Sequence, residues 1–255
     1  MGGYHVFSRF YDNLTFNVDY VKRAEYLQSV LSLYDHPWGL TLDLACGTGS
    51  LTAALKKRGI DIFGVDGSQE MLSEAMDKAY DEGLSILYLC QGMESLDLYG
   101  TIDTCVCTLD SLNHITEKSR LQAAFDRVGL FMNPGGMFVF DVNTVYKHRH
   151  ILADNTFVYD TDQVFCVWQN SLKENNIVNI ELDLFEREGE SGGLYRRHNE
   201  RFSERAYEIG ELKEMLAHAG FETLAVYHDM TTEDLRADSD RAVFVARIVN
   251  VRNAE

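Results

Sequence analysis

Residues 40–71 read LTLDLACGTGSLTAALKKRGIDIFGVDGSQEM, and the fold turns on them. The run 40–45 is short, apolar and rich in strand formers. A glycine-rich break follows at 46–49, and a helical pattern opens at Ser50, a residue type that suits an N-cap. A second apolar run, 60–65, ends in Asp66. Strand, tight turn, helix and strand form the opening unit of a doubly wound parallel sheet. Gly47 and Gly49 let the backbone turn sharply and leave no Cβ in the way of a ligand. Asp66 falls about twenty residues after the turn, where such folds place a carboxylate to accept hydrogen bonds from ribose hydroxyls.

The spacing selects among nucleotides. A dinucleotide site needs a G-x-G-x-x-G frame, and here that frame reads Ala45, Gly47, Ser50, a poor match that argues against NAD. The frame D-x-[GA]-x-G-x-G fits at Asp43, Ala45, Gly47 and Gly49, with Cys46 inside the turn. This resembles motif I of the class I S-adenosylmethionine-dependent methyltransferases. The segment GVDGSQEML at 64–72 resembles that family's next motif, in which Asp66 and Gly67 are followed by a methionine, Met71, that packs on adenine. The likeness runs from Tyr11 to about residue 247. It is closest to small bacterial methyltransferases with an N-terminal F-x-x-x-Y-D element and a β-rich insertion before the last helix.

The resemblance implies an α/β fold with a mostly parallel seven-stranded sheet and an antiparallel insertion. It divides the chain into a cofactor-binding core with N-terminal helices (1–150), the insertion (151–207), and a last helix with two strands that complete the core sheet (208–255). It also implies S-adenosylmethionine as cofactor and an N-terminal segment, carrying Tyr11, that folds over it. An acidic residue usually accepts from the adenine amino group just after the third strand. This chain has Gly92 there, followed by Met93, which leaves Gln91, Glu94 or a backbone carbonyl to take that place.

Beyond the first unit, Ser68 caps a helix with Leu72, Ala75, Met76 and Ala79 on one face. Residues 84–90, 102–108 and 137–142 read as strands, and Asn133-Pro134-Gly135-Gly136 as a turn before the last of them. The strand at 102–108 runs out into Leu109, Asp110, Ser111, Leu112, Asn113 and His114. Ligands of open α/β sheets bind beyond the carboxyl ends of the strands. This loop therefore supplies Leu109 and Asp110 as cofactor contacts and Asn113 and His114 as catalytic candidates. The plainer reading of His114 is a residue beside a helix that touches nothing reactive.

From 156 to 207 the pattern becomes alternating. Val178, Ile180, Leu182 and Leu184 share one face, and Asn175-Asn176 marks a hairpin. In 194–207, Arg197, Arg201 and Arg205 share a face, either as a clamp for an anionic substrate or as cross-strand partners of Glu181 and Asp183. Trp168 and Arg205 are the substrate-binding candidates: the indole offers a ring and an N–H, the guanidinium a planar fork. Insertion and N-terminal segment together suit a lid over the sheet edge.

The net charge of −17 argues against a nucleic-acid substrate. The absence of a twenty-residue apolar run or an apolar signal core points away from a membrane span and from secretion. Five cysteines, an odd number in strand-like contexts, suit reduced thiols in the cytoplasm. Cys105 and Cys107 are too close along a strand for a zinc site, and no metal is expected. The expected reaction is in-line methyl transfer to a small-molecule acceptor. RNA or protein methylation, or binding of S-adenosylmethionine or S-adenosylhomocysteine without turnover, are the alternatives. Oligomeric state is left open.

Overall fold

The computed structural model describes residues 7–188 and 193–250. Among them the elements are α1 (Phe7–Leu14), α2 (Tyr20–Ser32), β1 (Thr41–Leu44), α3 (Ser50–Lys57), β2 (Ile62–Asp66), α4 (Gln69–Asp81), β3 (Tyr88–Cys90), β4 (Ile102–Cys107), α5 (Lys118–Phe131), β5 (Met132–Asn143), α6 (Val145–Lys147), β6 (Thr156–Asp160), β7 (Val164–Leu172), β8 (Ile177–Glu188), β9 (Leu194–Arg205), α7 (Ile209–His218), β10 (Phe221–His228) and β11 (Arg241–Ile248). The main sheet has the order β10-β11-β5-β4-β1-β2-β3. The β1, β2, β3, β4 and β5 pairings are parallel, while β11 runs antiparallel to both β5 and β10. Strand order reverses beside β1, whose neighbours are β2 and β4, and the carboxyl ends of strands at such a reversal are where open α/β sheets bind ligands.

The central strands are apolar on both faces because both faces are covered. Val106, Met137, Val139 and Val243 pack under Leu27, Leu31, Leu51 and Leu55 of α2 and α3. Cys105, Phe138, Phe140 and Phe244 pack under Leu121 and Phe125 of α5 and Leu212 and Leu216 of α7. All five thiols are free, with Cys105 and Cys107 buried in that second layer.

Two boundaries differ from the sequence reading. The third strand is Tyr88–Cys90 rather than 84–90, because it lies at the sheet edge and only those residues face Gly64–Asp66 of β2. The fifth strand starts at Met132, and the Pro-Gly-Gly signal is a bulge inside it. The register shifts between Ile102 and Thr104, and a Cβ on Gly136 would lie 2.8 Å from the Asp103 carbonyl.

The second sheet, β6-β7-β8-β9, is wholly antiparallel. Its apolar face carries Val164, Cys166, Val178, Ile180, Leu182 and Leu184, and it closes on Phe10 of α1 and Leu152. Asn175 and Asn176 both take left-handed backbone, as a tight hairpin connection requires. Most of the loop expected at 189–193 lies outside the described residues. Helix α1 joins the two sheets. Phe10 lies in the insertion core, while Asp12 accepts from Thr48 Oγ1 at 2.8 Å and pairs with Lys78 at 2.6 Å.

Candidate active site

The turn after β1 has three left-handed residues: Ala45 (φ +58°), Gly47 (+54°) and Gly49 (+71°). Gly49, not Ser50, is the N-cap of α3, and it offers no side-chain cap. The Ser50 hydroxyl instead approaches Asp12 at 3.3 Å and Lys78 at 2.5 Å. A Cβ on Gly49 would meet Tyr88 Oη at 2.5 Å, so close packing on β3 requires glycine there. Around Gly47 the space is open: among the described residues no atom lies within 4 Å of where a Cβ would stand. A ligand can therefore approach that backbone closely.

Asp66, at the end of β2, holds this turn. Oδ2 accepts from the Gly47 N–H at 2.9 Å and Oδ1 from the Ser68 N–H at 2.8 Å. Burial pushes its carboxyl up, and these two N–H groups oppose the push. Each oxygen keeps a lone pair beyond those bonds. Ser68 caps α4 by accepting from the Met71 N–H at 3.2 Å, and Met71 is buried. Gly67 and Gly92 lie side by side: a Cβ on Gly67 would stand 3.9 Å from Gly92 Cα. These residues form a cradle with backbone donors and one carboxylate, a donor set that fits an adenosyl group.

Two of the expected cofactor contacts, Asp43 and Cys46, turn toward α3 and the sheet. Asp43 is 2% exposed and accepts from Thr52 Oγ1 at 2.6 Å, so it ties β1 to α3 from beneath the turn. Burial pushes its carboxyl up to about 7. The Cys46 thiol faces the sheet, where a Cβ on Gly64 would lie 2.7 Å from it. At the adenine end, Gln91 is tied to Asp97 by two hydrogen bonds of 3.0 and 2.8 Å, and Glu94 is paired with Arg120. Backbone groups beside Gly92 and Met93 are left to take the place of the usual acid. Tyr11 is half-buried on α1, which Asp12 clips over the glycine turn.

The turn after β4 is built differently. Leu109 (φ +57°) and Asp110 (φ +54°) are left-handed without being glycine. Their N–H groups donate to the two oxygens of buried Asp141, at 2.9 and 2.8 Å. Asp141 is paired with Arg241 and with Arg23, the latter at 3.3 Å. Arg241 also pairs with Asp110 at 2.5 Å. Burial alone would raise the Asp110 carboxyl, but Arg241 and Lys147 outweigh it and hold the group well below the usual carboxylate range.

Asn113 does not face the site. It is 1% exposed, its amide nitrogen donates to the carbonyls of Asn143 and Arg205, and its oxygen accepts from the Asn143 N–H. It is a clip joining this turn to β5 and β9. Arg205 donates through Nη1 to the Thr116 carbonyl at 3.1 Å and covers the Tyr207 ring at 4.6 Å, while its buried Nε has no hydrogen-bond partner among the described residues. Trp168 donates to Asn170 Oδ1 at 2.5 Å and packs against Phe157 and Tyr159 in the insertion core. Arg197 and Arg201 pair with Asp183 and Glu181, which makes them cross-strand partners rather than an anion clamp.

His114 is the catalytic candidate that keeps access: its side chain is 31% exposed. Nε2 stands 3.7 Å from Glu204 Oε1, and the ring packs on Phe202 at 5.2 Å. Glu204 went unnoticed in the sequence. The signal was present, since strict alternation along β9 sends Glu200, Phe202 and Glu204 to the face opposite Arg201 and Arg205. Asp110, His114 and Glu204 bring ligand-type atoms within 4.8 Å of one another. Arg241 already neutralises Asp110, and Lys147 lies close enough to act on both acids, so the protein balances this cluster with its own cations.

Comparison with known proteins gives the family. Residues 41–136 match the family described as "Methyltransferase domain". A protein of Geobacillus sp. (strain WCH70), whose name gives methyltransferase and no acceptor, is 32% identical over 246 residues, covering 96% of this chain and 99% of its own length. An S-adenosylmethionine-dependent methyltransferase from Clostridium acetobutylicum superposes with a TM-score of 0.87 at 32% identity, covering 97% of this chain and 99% of that one. The S-adenosylmethionine-bound amino pentose methyltransferase CalS10 from Micromonospora echinaspora shares the fold at 17% identity, with a TM-score of 0.74 and coverage of 97% and 98%.

Proposed function

This chain belongs to the class I S-adenosylmethionine-dependent methyltransferases, and we propose that its methyl acceptor is a small molecule held between the turn after β4 and the insertion sheet. One observation carries the reading. Strand β9 lies over the acceptor-side turn, through the Asn113–Arg205 hydrogen bond and the approach of Glu204 and Phe202 to His114. A roof of that kind suits a compact acceptor better than a polymer, and the net charge of −17 disfavours a phosphate backbone.

Bound S-adenosylmethionine supplies an electrophilic methyl group already activated by its sulfonium charge. The residues of the chain have three tasks. Gly47, Asp66 and Gly67 hold and orient the nucleoside, with Asp66 accepting from ribose hydroxyls. The turn at 109–114, pinned by Asp141, sets the approach of the acceptor, and such positioning can lower a barrier by up to roughly 7–11 kcal/mol. The insertion and α1 exclude water. His114 borders the acceptor and can take its proton where the acceptor carries one.

The test is incubation of the pure protein with methyl-labelled S-adenosylmethionine and a metabolite extract. Label is expected in the small-molecule fraction. Label on RNA or protein would replace this reading, and donor binding without transfer to either fraction would point to a sensor.

A further inference from the structure

Lys78, on α4, stands beside the glycine turn and takes no part in the steps above. Its side chain is 25% exposed. Nζ donates to Asp12 Oδ2 at 2.6 Å, to Ser50 Oγ at 2.5 Å and to the Thr48 carbonyl at 3.1 Å. Three acceptors match the three N–H bonds of an ammonium. Asp12 closes the ring from α1. Its other oxygen accepts from Thr48 Oγ1 at 2.8 Å and from Ser50 Oγ at 3.3 Å. The Ser50 hydroxyl thus accepts from Lys78 and donates to Asp12, and is spent here rather than on capping α3.

Helix α1 has 8 residues. A helix that short does not stand alone in water, so its contacts set its position. Phe10 lies in the insertion core, Arg9 pairs with Glu186 of β8 at 2.7 Å, and Asn13 donates to Gln163. Asp12 ties the same helix to Thr48 and Ser50. Thr48 follows Gly47, whose N–H is held by Asp66, so a pull on Thr48 is felt where the nucleoside is held.

We propose that Lys78 is a positioning residue: it bolts a latch that keeps α1, and Tyr11 on it, over the bound cofactor, and the latch opens to let S-adenosylhomocysteine leave. The proposal rests on the reading that the adenosyl group lies at Gly47 and Asp66.

The surroundings give the latch a second position. Ser50 and Lys78 also line a cavity of about 380 Å³ beside α2 and α3, which Lys57, Arg58 and Glu82 line as well. Glu82 lies four residues beyond Lys78, the spacing at which side chains meet on a helix. In the closed state Glu82 pairs with Lys57 at 2.7 Å. A released Lys78 turns into the cavity toward Glu82, and α4 itself need not change. Opening leaves the Asp12 carboxylate to water, which its 43% side-chain exposure permits. Both ends of the Asp12–Lys78 pair touch solvent, so salt weakens the closed state.

The test is hydrogen exchange of the full chain, read by mass spectrometry over residues 7–14, together with calorimetry of S-adenosylhomocysteine binding. Lys78→Met keeps the apolar stem and removes the ammonium. Exchange over 7–14 should rise about tenfold and S-adenosylhomocysteine should bind about tenfold more weakly, the scale of one hydrogen bond to a charged group. Asp12→Asn should do the same, and the double variant should be no worse than either single one, because each opens the same latch. In the unmodified protein, raising KCl from about 0.05 to about 0.5 M should speed exchange over 7–14 and leave β1 and β5 unchanged. That response decides the matter even where a variant does not fold. Exchange over 7–14 that ignores salt, or effects of the two substitutions that simply add, overturns the latch. Faster exchange with unaltered S-adenosylhomocysteine affinity overturns the positioning role, since a purely structural pair would give that result. If the unmodified protein does not bind S-adenosylhomocysteine, the cofactor reading is at fault instead, and exchange over 7–14 without ligand still judges the latch.

Discussion

Two turns follow the carboxyl ends of β1 and β4, and they reach left-handed backbone by opposite means. The turn after β1 uses Gly47 and Gly49, residues for which that conformation carries little steric cost. The turn after β4 forces Leu109 and Asp110 into it, at roughly 1–2 kcal/mol per residue. It is held by Asp141, whose carboxylate accepts both N–H groups and is itself fixed by Arg241 and Arg23. Hydrogen bonds to a charged group contribute about 1.5–3 kcal/mol each, enough to offset the strain. Asp66 plays the matching part in the first turn but stays partly accessible, with lone pairs left for a ligand. The turn after β1 is local and keeps lone pairs for a ligand. The turn after β4 is non-local, and its shape depends on a buried charge network.

That contrast can be broken from either side. The largest effect is expected at Arg241, whose side chain is 11% exposed and pairs with Asp110, Asp141 and Asp229. Arg241→Ala leaves buried carboxylates uncompensated and should cost about 3–5 kcal/mol in urea unfolding. A loss below about 1 kcal/mol would mean that the network does not hold the second turn.

Next comes the pH dependence set by Asp43. Its folded carboxyl lies at about 7, against about 3.9 in an unfolded chain. Between those values the folded protein keeps a proton that the unfolded chain has released, so stability falls as pH rises. The stability is complete below about pH 4 and is lost toward about pH 7, by at most about 4 kcal/mol. Asp43→Asn keeps an acceptor for Thr52 and should flatten that slope. An unchanged slope in denaturation curves would show that Asp43 ionises freely beneath the turn.

The smallest effect on the fold, and the sharpest on the ligand, is expected at Asp66. Asp66→Ala should weaken S-adenosylmethionine binding by roughly 1.5–3 kcal/mol in calorimetry, the worth of a hydrogen bond to a charged group. Equal affinity in a folded variant would remove Asp66 from the site and make the two turns alike, both purely structural.

The sequence by itself determined the turn after β1 and the start of α4. Glycines at 47 and 49, the acid at 66, and the cap at Ser68 act on residues near them in the chain, so their spacing carries their meaning. Alternation in 177–188 likewise announced the buried face of the insertion. Tertiary structure decided the surroundings of the turn after β4. Asn113 and Trp168 have the chemistry of site residues, yet their polar groups are taken by Asn143 and Asn170, and Arg205 gives one of its N–H groups to Thr116. Glu204 lies 90 residues beyond His114 in sequence and meets it because β9 folds back over the sheet edge. Asp141 and Arg241 meet because β5 and β11 pair antiparallel, with Arg241 opposite Asn143 and Val243 opposite Asp141. Register and long-range charge pairing fix which polar groups are consumed by the fold and which remain for chemistry, and no local pattern encodes that division.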